Sequence, residues 1–528
     1  MVPKLLLAAA TAILPLAAAI DGPVRVDGGQ VGGTPARDAS IRAFKGIPFA
    51  APPVGDLRWR APRPVAAWQG VRKADHFGPS CIQTITDKGF GPWTYEFVTH
   101  GEVSEDCLYL NVWTPAKTPA DRLPVYVFLY GGGFSSGSAE VPIYDGEGLA
   151  SKGLVVVTIN YRVGIFGFLA HPELTRESGY NASDDYGLLD QVAALHWVKN
   201  NISAFGGDAG RVTIAGQSAG SMSVHFLMAS PLAKGLSHRA IAESGGSGVG
   251  ASGGGPMMGS RTLANAEADG VKFAAAKGAS SLRDLRAMSW QKLMEPIPGA
   301  DPGPAGMLRF APVVDGYVLP ESPWDALVEG KLSDVPILTG CNTGEIEGGL
   351  IGPLPPVTAE EFQRQARQRY GDVAGEFLKL YPATTSRQAQ ASRAASSRDE
   401  SLVSMYLWAQ KRGQVANSKT FLYLWDHTLP GPDAARYGAF HTSEVPYVLN
   451  TLYTSERPFT EADRTIADRM SSYWAAFASS GDPNRAGLPV WPAAHEKREV
   501  MEVGDRNAPV PLAGDPARIE FFEKYLSR

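Results

Sequence analysis

Two stretches of the chain have almost no polar positions to turn towards water. LPVYVFLY at residues 123–130 and LVVVTINY at residues 154–161 are nearly continuous apolar runs, the pattern of strands buried on both faces. CLYLNVW at residues 107–113 alternates and predicts another strand, while Val24-Arg25-Val26 and Ile41-Arg42-Ala43-Phe44 predict short strands of an N-terminal hairpin region. The segment from Gly46 to Gly55 contains adjacent prolines at 52 and 53; two in a row exclude regular structure and predict an ordered, extended surface segment. Between Asp184 and Asn200, Leu188, Leu189, Val192, Leu195 and Trp197-Val198 supply the apolar face of a helix. Further buried strands are expected at residues 212–215, 335–340 and 421–425. Buried strands alternating with helices predict an α/β fold with a mostly parallel sheet flanked by helices.

Composition adds limits to this picture. The chain has 528 residues, 44% hydrophobic and 20% charged, enough to build a large core. Division by an average domain length gives three domains, but large α/β enzymes spend such length on insertions around one sheet. The net charge of −5 argues against a nucleic-acid partner, which would need a basic face. No internal repeat, long charge run or coiled-coil heptad occurs.

The N-terminus reads as a leader. Lys4 supplies a positive charge, residues 5–19 are apolar, and Ala17-Ala18-Ala19 offers the small residues a signal peptidase needs. That run is too short for a membrane span, and nothing later in the chain reaches the required length. The expectation is therefore a signal peptide over 1–19, a single catalytic domain over 20–528, and a secreted or periplasmic location. Three cysteines then sit in an oxidising compartment, where Cys81 and Cys107 can pair and leave Cys341 single. Such a bridge is worth about 3 kcal/mol in the chain-entropy model.

The chemistry centres on RVTIAGQSAG, residues 211–220. Val212 to Ala215 suit a buried strand, and Gly216-Gln217-Ser218-Ala219-Gly220 fits G-x-S-x-G, in which a serine sits on a sharp turn between strand and helix. Glycines two before and two after give room for strand and helix to approach, and residues 221–228 continue with apolar positions at helical spacing. A second element, Tyr130-Gly131-Gly132-Gly133-Phe134, closes the first buried strand. Its glycines can turn backbone N–H groups outward, and with the N–H of Ala219 they would hold the oxyanion of a tetrahedral intermediate. A phosphate loop would need a lysine that is absent here, and the dinucleotide spacing G-x-G-x-x-G is not met.

At this point the chain resembles the type-B carboxylesterase and cholinesterase family of α/β-hydrolases. The matching pieces run in the family's order over nearly the whole sequence. They are residues 44–62, Ser104-Glu105-Asp106-Cys107 through Trp113, the triple-glycine loop, Asn160-Tyr161-Arg162, Phe205-Gly206-Gly207-Asp208, the serine turn, and Tyr473-Trp474 with Phe477 and Gly481-Asp482-Pro483-Asn484. The resemblance implies an α/β-hydrolase fold with large insertions around an active-site gorge. It also implies a Cys81–Cys107 bond and a structural Arg58–Glu105 salt bridge.

In α/β-hydrolases the chain order is serine, acid, histidine, so the base is expected late. His427, His441 and His495 lie in the final quarter. His441 sits in an irregular loop where a base can hang over the site, and the family places its catalytic histidine there. His427 ends a strand and reads as structural, His495 as surface, and His225 as packing within the helix after Ser218. For the acid, Glu345 follows the strand at 335–340 and matches the family's glutamate, with Glu347 as rival because Gly344 and Ile346 depart from the usual pattern. The expected reaction is hydrolysis of a small-molecule carboxylic ester through an acyl-enzyme, with no metal or cofactor required. Gln217 stands where cholinesterases carry glutamate, and the glycine-rich residues 244–255 lack a large aromatic, which favours general esters and a roomy acyl pocket. Trp93 and Tyr95 would line a gorge or pack the loop around them. The alternatives are a non-catalytic adhesion protein of the same fold and a specialised esterase for phenolic or polyester substrates.

Overall fold

A strand with no polar face has to be covered on both sides, and the apolar runs lie inside one sheet that has eleven strands among the described residues. The computed structural model describes residues 20–86, 88–249, 261–297, 310–348, 354–494 and 497–527. The sheet's strands, in chain order, are β1 (Thr34–Pro35), β2 (Arg42–Pro48), β3 (Tyr109–Thr114), β4 (Leu123–Leu129), β5 (Val155–Ile159), β6 (Gly207–Gln217), β7 (Arg239–Glu243), β8 (Ile337–Asn342), β9 (Thr420–Trp425), β10 (Glu499–Glu502) and β11 (Ala508–Pro511). In space they run β11-β10-β9-β8-β7-β6-β4-β5-β3-β2-β1. Every pair from β5 to β10 is parallel, and antiparallel strands finish both edges. The strand order turns back on itself at β4, which lies between β5 and β6. A crevice opens outside the carboxyl ends of such strands, where α/β sheets place their ligands.

The helices that matter for the site are α1 (Tyr186–Asn201), α2 (Ala219–Ala229), α3 (Thr343–Gly348) and α4 (Glu461–Ser480). α1 is buried around most of its circumference and carries Asp190, a carboxylate with no exposed surface, into the interior. Arg162 meets it through two side-chain bonds of 2.7 and 2.8 Å, and the Arg162 backbone N–H adds a third at 3.0 Å. Removing one partner of such a pair leaves a buried charge uncompensated. Asp190→Ala is therefore expected to lower stability by about 3–5 kcal/mol. Arg162→Met combined with Asp190→Leu should recover most of that loss, since the desolvation cost of both ions disappears; urea midpoints of the parent and the two variants check it. α4 opens on a capping box between Thr460 and Asp463 and closes on Gly481 at φ 82°. It packs Trp474 and Phe477 against the sheet, and the indole of Trp474 donates to Glu243 Oε1 at 2.7 Å.

The N-terminal region differs from expectation. Val24–Val26 pairs with Gly29–Gly32 in a separate small sheet, whereas β2 belongs to the main sheet and pairs with β3. β2 also runs on through Pro48, and residues 46–50 are buried rather than an extended surface segment. The reason is position. β2 lies next to the edge strand β1, which pairs only with Arg42 and Ala43, so Pro48 can end it without breaking an inner ladder. Cys81 and Cys107 are bonded across a separation of 26 residues, and Cys341 is a buried free thiol. Beside the bridge, Arg58 holds both oxygens of Glu105 at 2.6 Å. The proposed leader, residues 1–19, lies outside the described residues, as does His495. Among the described residues, no helix is long and apolar enough to cross a membrane.

Candidate active site

β6 ends at Gln217 and α2 starts at Ala219, which leaves Ser218 alone on the turn with φ 59° and ψ −121°. A residue with a side chain reaches that conformation only where its surroundings enforce it. The surroundings here are very tight. A Cβ on Gly220 would lie 2.0 Å from the carbonyl oxygen of Leu129, and one on Gly216 would lie 2.4 Å from that of Gly220. The Ser218 N–H donates to Glu243 O at 2.8 Å, fastening the turn to β7. Ser218 stays partly exposed, and its Oγ makes no hydrogen bond to any described residue.

The triple-glycine loop faces the same turn. A Cβ on Gly131 would fall 2.9 Å from Ser218 Cβ, so that position has no room for a side chain. Gly132 and Gly133 hold φ of 111° and 61°, and the Gly132 carbonyl is occupied by the N–H groups of Ser135 and Ser136, each at 3.1 Å. Among the described residues, the N–H groups of Gly132 and Gly133 take no part in a hydrogen bond. Ala219 opens α2, where the first N–H groups of a helix have no partner within it. Behind the loop, Tyr130 and Tyr161 stack at 4.3 Å, and each hydroxyl donates to the other's carbonyl at 2.7 Å.

Glu345 occupies the first turn of α3, not an open loop as expected, because the strand before it continues to Asn342. One carboxylate oxygen accepts from the Asn342 N–H at 2.6 Å; the other meets His441 Nδ1 directly. His441 lies on the turn that precedes a short helix, Val445–Val448. Two bonds tie that turn to the end of β8: Gly344 N–H to Ala439 O at 2.9 Å, and Asn342 Nδ2 to Phe440 O at 2.8 Å. The departure at Gly344 has a steric cause, since a Cβ there would lie 2.4 Å from Ala439 O. Glu347 lies two positions further in the same helix.

With Nδ1 committed to Glu345, the basic nitrogen of the ring is Nε2. It faces the Gln217 amide nitrogen at 3.4 Å, beside Ser218. Burial works against the imidazolium of His441, but the Glu345 carboxylate outweighs it and Glu444 adds to the effect, so the pKa rises above its ordinary value. Glu444 is itself buried; burial and the Glu345 charge push it up to about 7. It accepts from Asn342 Nδ2 and from Ser244 Oγ. Behind it, burial and Glu444 drive Glu243 well above the carboxylate range. Sequence reasoning missed Glu444, three residues after His441, and the roles of Asn342 and Thr442. It weighed Trp93 only as gorge lining or packing, whereas the Trp93 indole donates to His441 O at 3.1 Å. Tyr95 stacks on His100 and is 61% exposed. His225 bonds Ser247 and packs on Trp408, and His427 lies between Asp463 and Asp505.

A cleft of about 520 Å³ has Phe440 in its lining but includes none of Ser218, Glu345 or His441. Among the described residues, no group of three or more His, Cys, Asp or Glu side chains is placed to hold a metal ion.

The sequence model of the Carboxylesterase family matches residues 21–522. The chain belongs to that family. This carboxylesterase is 38% identical to the fumonisin B1 esterase of Sphingopyxis macrogoltabida over 94% of its own length and 89% of that protein's. It is 34% identical to the para-nitrobenzyl esterase of Bacillus subtilis, covering 92% and 95% of the two chains, and 33% identical to the human cocaine esterase, covering 93% and 88%. A solved structure of a PNB esterase superposes with a TM-score of 0.75 at 31% identity, over 93% of this chain and 96% of that one. The carboxylesterase therefore has the α/β-hydrolase fold and is a carboxylic ester hydrolase.

Proposed function

We propose that this carboxylesterase hydrolyses its ester through an acyl-enzyme formed on Ser218. His441 Nε2 takes the hydroxyl proton as Ser218 Oγ attacks the ester carbonyl, and Glu345 orients the ring and stabilises the imidazolium without accepting the proton. The N–H groups of Gly132, Gly133 and Ala219 hold the oxyanion. The imidazolium then protonates the departing alcohol. A water attacks the acyl carbonyl, its proton goes to His441, and the acid leaves as Ser218 regains its proton. The observation that carries this reading is the pairing of Glu345 with Nδ1, which makes Nε2 the basic nitrogen and turns it to the residue next to Ser218. Because the base must be neutral in the free enzyme and its pKa is raised, the acid limb of the rate should lie on the alkaline side of an ordinary histidine's.

The substrate is a neutral carboxylic ester in preference to a choline ester, since Gln217 places no negative charge beside the nucleophile. The named relatives act on fumonisin B1, para-nitrobenzyl esters and cocaine, which supports breadth of ester acceptance across the family. Removal of residues 1–19 and export fit the disulfide, a bond kept in oxidising compartments. A fluorophosphonate probe tests the whole reading. It should attach to the peptide containing Ser218 and stop hydrolysis of p-nitrophenyl acetate in step, and the labelled exported protein should begin near residue 20. Equal labelling of Ser218→Ala protein would overturn the assignment of the nucleophile, and a protein that still begins at residue 1 would overturn the leader.

A further inference from the structure

Gln217, 1% exposed, touches two groups of the turn that carries the base. Its amide nitrogen lies 3.4 Å from His441 Nε2, and its Oε1 accepts from Thr442 Oγ1 at 3.4 Å. Thr442 Oγ1 accepts in turn from the Trp93 indole at 3.3 Å, and the same indole N–H holds the carbonyl of His441. Thr442 sits at φ 85°, which a β-branched residue adopts only under constraint. The nucleophile's neighbour, the base and the disulfide-closed loop are thus joined through one amide.

An amide suits that place for a chemical reason. Neutral His441 offers a lone pair at Nε2, and an amide N–H donates to it. Once Nε2 has taken the serine's proton it becomes a donor, and an N–H facing it is repelled. An amide turned by half a revolution about its last bond presents Oε1 to the imidazolium and its NH₂ to Thr442 Oγ1, which has a lone pair to accept. A carboxylate could only accept; a hydrocarbon could do neither. We propose that Gln217 is a positioning residue whose amide turns with the protonation of His441. It donates to Nε2 in the resting enzyme and accepts from it while the imidazolium exists, with Thr442 and Trp93 fixing its other contact. The inference rests on Ser218 and His441 as nucleophile and base.

Among the described residues, the charged groups that act on His441 are Glu345 from α3 and Glu444 from its own turn. Behind Glu444 stand Glu243 at the end of β7, Cys341 on β8, and the Tyr144 and Tyr423 hydroxyls. Among them Glu345 alone is bonded to the ring, so the neutral Gln217 leaves one imidazolium against one carboxylate.

The test is the pH dependence of kcat and kcat/KM for p-nitrophenyl acetate in the full chain, measured beside Ser218→Ala. Gln217→Glu adds a carboxylate next to Nε2 and should move the acid limb upward by about one pH unit. Gln217→Met should lower kcat about tenfold with little change in KM and move the acid limb downward, because the imidazolium loses an acceptor. Thr442→Val should reproduce part of the kcat loss. Parental kcat and pH profiles in both Gln217 variants would overturn the inference, as would a kcat loss that tracks a lowered Tm with the acid limb unmoved. If Ser218→Ala stays near the parental rate, the nucleophile assignment fails instead.

Discussion

Ser218→Ala should retain about one millionth of the parental kcat towards p-nitrophenyl esters, with KM and Tm close to the parent. The fold tolerates the change because alanine and serine face the same backbone cost at φ 59°, and the contacts that impose this conformation come from Leu129, Gly220 and Glu243 rather than from the hydroxyl. Ser218 Oγ bonds no described residue, so its removal orphans no partner. The remaining rate is what positioning and the free N–H groups of Gly132, Gly133 and Ala219 provide to a water, roughly 10³–10⁴ over the uncatalysed reaction. Steady-state kinetics on protein free of parental enzyme checks it. Activity within about a hundredfold of the parent would mean that another group attacks the ester.

How much of this site could be read in the chain depended on range. The inner strands were legible because Val125–Leu129 and Val155–Ile159 have no polar face, a pattern with few other solutions. The serine turn was legible because its glycines answer to contacts with atoms near in sequence or on the adjacent strand. β2 was misread because its fate depends on β3, some sixty residues later, which no local pattern announces. Glu345 and Glu347 could not be separated from the residues alone for a related reason. In an extended loop, positions two apart share a side, whereas in a helix they point nearly opposite ways. Only the strand's continuation to Asn342 makes Thr343 the start of a helix, in whose first turn Glu345 meets His441. The Trp93, Thr442 and Gln217 contacts join residues up to 349 positions apart, and nothing in composition or spacing marks them.

Glu345→Gln should cost about 10⁴ in kcat, more than any other change around the base. The substitution keeps size and polarity but places an NH₂ where Nδ1 now finds a carboxylate. The ring then offers Nδ1 as acceptor and carries its proton on Nε2, the tautomer that cannot take a proton from Ser218. Two further losses point the same way. The imidazolium loses the charge that most outweighs its burial, so the pKa of His441 drops and the acid limb of kcat/KM moves to lower pH. The Asn342 N–H loses a charged acceptor as well. Glu444 cannot take over the bond to Nδ1, because Asn342 and Ser244 hold its carboxyl, but its charge still favours the imidazolium. Burial first and the Glu345 charge second push it up to about 7, so removal of Glu345 lets Glu444 ionise more readily. The residual rate of the single variant should therefore fall again when Glu444→Gln is added. Glu347→Gln is the control for the rival acid and should keep the parental rate and pH profile. A larger loss in Glu347→Gln than in Glu345→Gln would transfer the role to Glu347, and the pairing of Glu345 with Nδ1 would then have to be a structural contact.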